Sequence, residues 1–347
     1  MPTREAVIEA LSRVIDPELH RPVTELDMVR SVDVDGGDVA VTIALTVAGC
    51  PLRSSFEDQV RREVATLDGV DEVTLGFDVM TAEERQTLTQ KLRGSVSGRS
   101  KGLSLDASTR VLAVCSGKGG VGKSTVTANL AVALSQRGLR VGILDADIYG
   151  HSIPHLLGIH QKPIAVDRMI VPPVKDGLKL MSIGFFLDDN QPVMWRGPML
   201  HKALEQFLSD VHWGELDVLV VDMPPGTGDV AISLGQLLPR AEVLIVTTPQ
   251  PAAQEVAVRA ALMAQKTSMR LLGVVENMSG EVFGSGGGQN LADDLGIPLL
   301  GRIPLDSRVR EAGDAGDPLV TPEIEAIADR VGELRPGGIL KPLTLLS

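Results

Sequence analysis

The chain has 347 residues, 44% of them apolar, and a formal net charge of −12 at neutral pH. That length accommodates one large domain and one small one, each able to bury a core. Residues 1–92 carry 18 acidic against 9 basic side chains and residues 111–347 carry 26 against 20, so neither part has the basic surface that sequence-independent nucleic-acid binding requires. No apolar run is long enough to predict a membrane span. The first twenty residues contain acids and lack an apolar signal core, and two cysteines cannot build a disulfide framework. A cytoplasmic location is the expectation.

Along the chain, apolar residues at 7, 8, 11, 14 and 15 predict a helix over 3–15. Alternation at 32–34 and 39–45 around "DGGD" predicts a hairpin. A helix over 54–67 and a strand over 73–79 complete a small α/β domain, residues 1–92. Residues 93–109 are Ser/Gly-rich without periodicity and are expected to be a flexible linker. From residue 110 the runs "VLAVC", "RVGILD", "DVLVVD", "EVLIVTT" and "LLGVVE" alternate with helical patterns. They predict an α/β fold over 110–347, a doubly wound, mostly parallel sheet with ligands at the carboxyl ends of the strands. Within it, "MIVPPVKDGLKLMSI" reads as a hairpin and "GPMLHKALEQFLSDV" as a helix.

Residues 115–125, "CSGKGGVGKST", contain G-x-x-x-x-G-K-[ST] directly after one of these strands and before a helical pattern, the context that makes the motif a phosphate-binding loop. The backbone of Gly117, Gly119, Gly120, Val121 and Gly122 is expected to curl around phosphate, at a helix N-terminus. Lys123 is assigned to the β/γ phosphates, the Ser124 hydroxyl to Mg²⁺, and Thr125 to the α-phosphate. Lys118 is a second lysine that sits beside this cradle. It is either a solvated loop residue or a cation for phosphates held by a second subunit.

"KGGVGKST" resembles the deviant Walker loop of the dimerising MinD/ParA ATPases, whose signature lysine corresponds to Lys118. "LDADIYGHSIPHLLG", "PVMWRGPM", "VVDMPPGTGD", "TTPQPAAQEVA" and "GVVENMSG" together resemble the Mrp/ApbC iron–sulfur cluster carrier ATPases. "IDPELHRPVTELDMV" followed by "TVAGCP" resembles a small SufT/PaaD-type domain. The resemblance implies a slow, Mg²⁺-dependent ATPase working as a homodimer. It also implies a [4Fe–4S] cluster as cargo, with client apoproteins and assembly factors as partners. A nucleotide-switched scaffold that carries no cluster is the alternative.

Asp145 and Asp147 follow one strand and Asp222 ends another, where phosphates are expected. Asp147 is assigned to the attacking water, Asp145 to a structural or metal-linked role, and Asp222 to Mg²⁺. Gly226, in "PPGTGD", is expected to offer a backbone N–H to the γ-phosphate. Asn277 either reads the adenine edge, as the resemblance implies, or is a turn asparagine. His151 and His155, four apart, are interrupted by Pro154 and read as loop polar residues. By resemblance, Trp195 and Arg196 lie near a dimer face or client groove. The tail "LKPLTLLS" lacks the basic amphipathic character of a membrane-binding helix.

The resembling carriers place Cys-x-x-Cys soon after "NMS", giving four thiolates per dimer. Here the segment is "NMSGEVFGSGGGQNLADD", without cysteine. Cys115 reads as a buried hydrophobe. Cys50, in the turn "AGCPL", is the candidate iron–sulfur or metal ligand, and the resemblance to the small SufT/PaaD-type domains implies Asp16 as the acid beside it.

Overall fold

The structure, a computed structural model, describes residues 2–17, 19, 21–46, 53–94, 105–147, 150–167, 169–186, 197–226 and 228–334. It divides into two units, Met1–Ser97 with Ile164–Val171, and Gly98–Pro163 with Pro172–Ser347.

The small unit contains α1 (Arg4–Leu11), β1 (Val29–Asp35), β2 (Asp38–Leu45), α2 (Arg53–Val64), β3 (Glu72–Val79) and α3 (Ala82–Gly94). β1 and β2 pair antiparallel around "DGGD", and β3 runs parallel to β2 along its whole length. α1 stops short of residue 15 because the chain turns out of the helix there. Val14 donates its N–H to Leu11 and accepts one from Val23, and Pro17 follows. α3 has no counterpart in the sequence reading, since its described buried side chains are only Leu88, Thr89 and Leu92. Its start is a capping box: Thr81 Oγ1 accepts from Glu84 N at 3.2 Å, and Glu84 Oε2 accepts from Thr81 N at 2.7 Å. Of the segment expected to be a linker, residues 93 and 94 complete α3 and Leu105 is buried.

The large unit begins with β4 (Arg110–Ser116), α4 (Lys123–Gln136), β5 (Val141–Asp145) and α5 (Ile153–Leu156). The chain then forms the hairpin β6 (Ile164–Val166) and β7 (Met169–Val171), which belongs to the small unit. β8 (Val174–Lys175), β9 (Leu178–Ser182), α6 (Gly197–Ser209), β10 (Val218–Asp222) and α7 (Asp229–Leu237) follow. β11 (Glu242–Thr247), α8 (Pro251–Lys266), β12 (Arg270–Ser279), α9 (Gly287–Leu295), β13 (Leu299–Pro304), α10 (Ser307–Asp314) and α11 (Pro322–Glu333) complete it. The eight-stranded sheet has the order β13-β12-β11-β4-β10-β5-β9-β8 and is parallel except at its β8 edge. β5, β10 and β11 are buried at every position, as expected of strands covered on both faces. The hairpin expected in "MIVPPVKDGLKLMSI" is β8–β9, turning at Asp176 and Gly177 with φ of 49° and 80°. Met169–Val171, in contrast, pairs backward with β6. Asp-Gly at positive φ is the two-residue hairpin signal, and it outranks the apolar run before it.

Trp213 anchors β5 from one side. It is fully buried, its Nε1–H donates to Phe207 O at 2.9 Å, and a Cβ at Gly142 would lie 3.0 Å from the indole. Trp213→Ala is expected to cost about 3–5 kcal/mol of large-unit stability, read as a lower urea midpoint; a shift under about 1 kcal/mol would show that β5 is not held there.

Candidate nucleotide site

The site is built at the carboxyl ends of three adjacent strands. β4 leads into the loop 117–122, and β5 and β10 end on Asp145 and Asp222, which stand opposite each other in register. The loop is shaped by its glycines. Gly122 takes φ +78°, and a Cβ there would lie 2.2 Å from Asn277 Nδ2. A Cβ at Gly117 would lie 2.3 Å from the backbone nitrogen of Ala257 in α8. Asn277 Nδ2 donates to Val121 O at 2.9 Å, so the asparagine clamps the loop from β12. Lys118, Gly119 and Gly120 are exposed, with Ser116 Oγ donating to Lys118 O at 3.1 Å.

Lys123, the first residue of α4, is buried among acids. Its Nζ lies 2.7 Å from Asp222 Oδ2 and 3.2 Å from Asp147 Oδ2. Ser124 Oγ donates to the same Asp222 oxygen at 2.6 Å. The other, Oδ1, lies 2.7 Å from Thr127 Oγ1, whose single proton it shares with Lys123 O at 2.9 Å. Asp222 is fully buried, and burial pushes its carboxyl up while Lys123 and the three hydrogen bonds pull it down. Asp145 Oδ2 accepts from Ser182 Oγ at 2.9 Å and Oδ1 from Asp147 N at 3.2 Å. Burial, then repulsion from Asp222, raise Asp145 to about 8. Asp147 Oδ1 accepts from Gly150 N at 3.1 Å. Gly226 N donates to Ser116 O at 2.9 Å, so the N–H expected to meet phosphate is spent on the loop's own strand.

Lys118, Lys123, Ser124, Asp145, Asp147, Asp222, Gly226 and Asn277 therefore all lie on or beside this edge. Thr125 follows in α4, its carbonyl accepting from Asn129 Nδ2 at 2.8 Å. The sequence reading missed Thr127 and Ser182, which orient Asp222 and Asp145. The signal for Thr127 was its place one helical turn after Lys123; Ser182, from a strand distant in sequence, had none. A hydroxyl and a carboxylate oxygen 2.6 Å apart are a hard-oxygen pair of the kind that suits Mg²⁺ beside phosphate.

The segment after "NMS" forms a tight turn closed by Gly280 and Gly284, with Val282 and Phe283 exposed at its tip. Fully buried Glu276 accepts from Gly286 N and Gly288 N, fixing the glycines that follow. Cys115 is buried, and desolvation pushes its thiol up to about 12, which opposes the thiolate form there. Cys50, Trp195 and Arg196 lie outside the described residues. Among those described, no trio of His, Cys, Asp or Glu is arranged to hold a metal, and no helix is long and apolar enough to cross a membrane.

A phosphate loop between β4 and α4, faced by acids ending β5 and β10 in a doubly wound sheet, defines a P-loop NTPase. Residues 107–333 match the family model described as NUBPL iron-transfer P-loop NTPase, and the chain belongs to that family. Residues 4–75 match a second model, iron–sulfur cluster assembly protein. The iron–sulfur cluster carrier protein of Mycobacterium leprae is 53% identical, over 91% of this chain and 87% of its own. That of Synechocystis is 42% identical, over 94% of each. Among solved structures, a nucleotide-binding protein of Archaeoglobus fulgidus in complex with ADP is 39% identical, with TM-score 0.54, covering 62% of this chain and 90% of that one. The septum site-determining protein MinD of Pyrococcus horikoshii, complexed with Mg-ADP, shares the fold at TM-score 0.52 and 24% identity, covering 65% of this chain and 97% of its own.

Two outcomes follow from this geometry. Gly117→Ala pushes the loop off α8 and is expected to weaken nucleotide binding at least about tenfold by equilibrium titration, with wild-type affinity contradicting the close approach. Folded Asp145 keeps a proton up to about pH 8, whereas a free aspartate releases it near 3.8. The folded state therefore binds more protons in that window, and stability without nucleotide falls as pH rises through it. Asp145→Asn is expected to flatten that decline in urea melts; an unchanged slope would place the proton elsewhere.

Proposed function

We propose that this chain carries iron–sulfur clusters to client apoproteins, and that binding and hydrolysis of ATP control the delivery. Its family membership supports the cluster role, as do the relatives named iron–sulfur cluster carrier protein. The observation that carries the nucleotide role is the convergence of Lys123, Ser124 and Thr127 on the buried carboxylate of Asp222.

In this reading Lys123 leaves Asp222 for the phosphate charge, and Ser124 and Asp222 would hold Mg²⁺. Mg²⁺ supplies charge neutralisation to the phosphates. Asp147, released from Lys123, orients the attacking water. Lys118 extends from its exposed position to the triphosphate of a second copy, which makes hydrolysis slow and dependent on dimerisation. Gly226 exchanges Ser116 O for phosphate, coupling nucleotide state to its loop. Asn277 keeps its hold on Val121 while its carboxamide faces the base.

Cluster ligation is assigned to Cys50 in the small unit, because the large unit has no cysteine besides Cys115. One Cys50 per chain supplies two thiolates per dimer, so Asp16, a histidine, a small thiol or the client completes the set. The same shortage of thiolates favours a second reading, a nucleotide-switched scaffold that carries no cluster.

Anaerobic reconstitution with iron and sulfide separates the two. A visible cluster absorption that disappears in Cys50→Ala supports carriage; no chromophore in the wild type leaves the scaffold. Lys118→Ala is expected to keep ATP affinity within about twofold and to lose at least about tenfold in turnover. Full turnover in that variant would remove the cross-subunit role.

A further inference from the structure

The hairpin β6–β7 lies, in sequence, in the middle of the ATPase unit, yet its side chains complete the core of the other unit. Val166, Met169 and Val171 are buried in one cluster with small-unit residues that include Leu45, Met80, Leu88 and Leu92. Thr89 Oγ1 of α3 donates to Val166 O at 3.4 Å. The chain thus passes between the units three times, at 97/98, 163/164 and 171/172. The second and third passages are stiffened by Pro163, Pro172 and Pro173, whose φ is fixed by the ring.

Both stems of this arm are rooted at nucleotide-facing acids. The outgoing stem starts at Asp147, whose carbonyl accepts from Gly150 N at 3.2 Å and His151 N at 2.7 Å. It continues through α5, with Ile153, Leu157 and Ile159 buried in the ATPase core. The returning stem is β8–β9, which ends at Ser182, the residue that donates to Asp145. Lys175 clasps the two stems together. Its Nζ donates to Leu157 O at 2.8 Å and to Gly316 O at 3.1 Å. A shift at Asp145 or Asp147 therefore enters a clasped pair of stems, and the hairpin that those stems carry is buried in the small unit's core.

From these contacts we infer that residues 164–171 are a coupling arm, through which nucleotide at the phosphate loop tightens the small unit. This rests on the nucleotide reading given above. The bistable elements are the contacts of Asp147 with the amides of Gly150 and His151 and the contact of Ser182 with Asp145. Each changes when Asp147 and Asp145 change partners, and the clasped stems transmit the change.

Hydrogen–deuterium exchange on the full chain tests the arm, with ATP affinity measured on the same samples by fluorescent-analogue titration. In the wild type, a slowly hydrolysed ATP analogue with Mg²⁺ is expected to slow amide exchange in β3 and α3 about fivefold or more. A slack-stem variant, Pro163→Gly with Pro172→Gly and Pro173→Gly, leaves every small-unit core side chain in place. It is expected to bind the analogue within about twofold of wild type and to lose most of that slowing. Lys175→Met, which opens the clasp alone, is expected to do the same in part. An analogue that binds the wild type without changing exchange in β3 and α3 overturns the arm while sparing the nucleotide site. Full slowing in both variants overturns it as well. Failure of the wild type to bind the analogue takes down the nucleotide reading and the arm with it.

Discussion

The site turns on one buried carboxylate. Asp222 has no exposed surface, and an ion taken out of water at such a place costs several kcal/mol unless its partners replace the lost hydration. The chain supplies an amine and two hydroxyls, all from the first turns of α4. Those three contacts fix where α4 starts relative to β10, and therefore where the loop before it must curl. They also limit the neighbours. Asp145, opposite in register and equally buried, is pushed up first by its own burial and then by repulsion from Asp222. Lys123 is shared between Asp222 and Asp147, so any phosphate at the loop competes with two acids for one amine. In the proposed mechanism, nucleotide binding and rearrangement of the acids are then one event.

Much of this was legible in the sequence. The loop motif with its flanking strand and helix was local and placed correctly. So were the acids at the strand ends, because an aspartate that closes a fully apolar run can only lie at the sheet's edge. Contacts between distant segments were not legible. Ser182 reaches Asp145 from β9, and Asn277 reaches Val121 from β12; neither distance along the chain nor residue type announces those bonds. α3 was overlooked because its apolar positions are sparse, although Thr81 and Glu84 carried its capping signal. The fate of "MIVPPVKDGLKLMSI" was hidden for another reason. Its first strand pairs backward into the small unit, and alternation alone does not say which partner a strand takes.

The proposed reading also separates two jobs that the resembling carriers are expected to combine. Where those proteins are expected to present thiolates after "NMS", this chain has a short glycine turn with two apolar residues at its tip, closed by Gly280 and Gly284, with Glu276 fixing the glycines that follow. The remaining large-unit thiol is buried where its ionisation is strongly opposed. In the proposed division, the nucleotide machinery stays in one unit and any cluster chemistry moves to the other. A covalent arm between them then has a use.

The central claim is that the lysine which neutralises Asp222 in the resting chain is the one that meets phosphate. A crystal structure of the full chain with Mg²⁺ and a non-hydrolysable ATP analogue tests it directly. The account predicts that Lys123 Nζ leaves its 2.7 Å contact with Asp222 and lies against phosphate oxygen, while Ser124 and Asp222 stay side by side at the metal. Nucleotide bound at this loop with Lys123 still seated on Asp222, or nucleotide bound elsewhere, would contradict it.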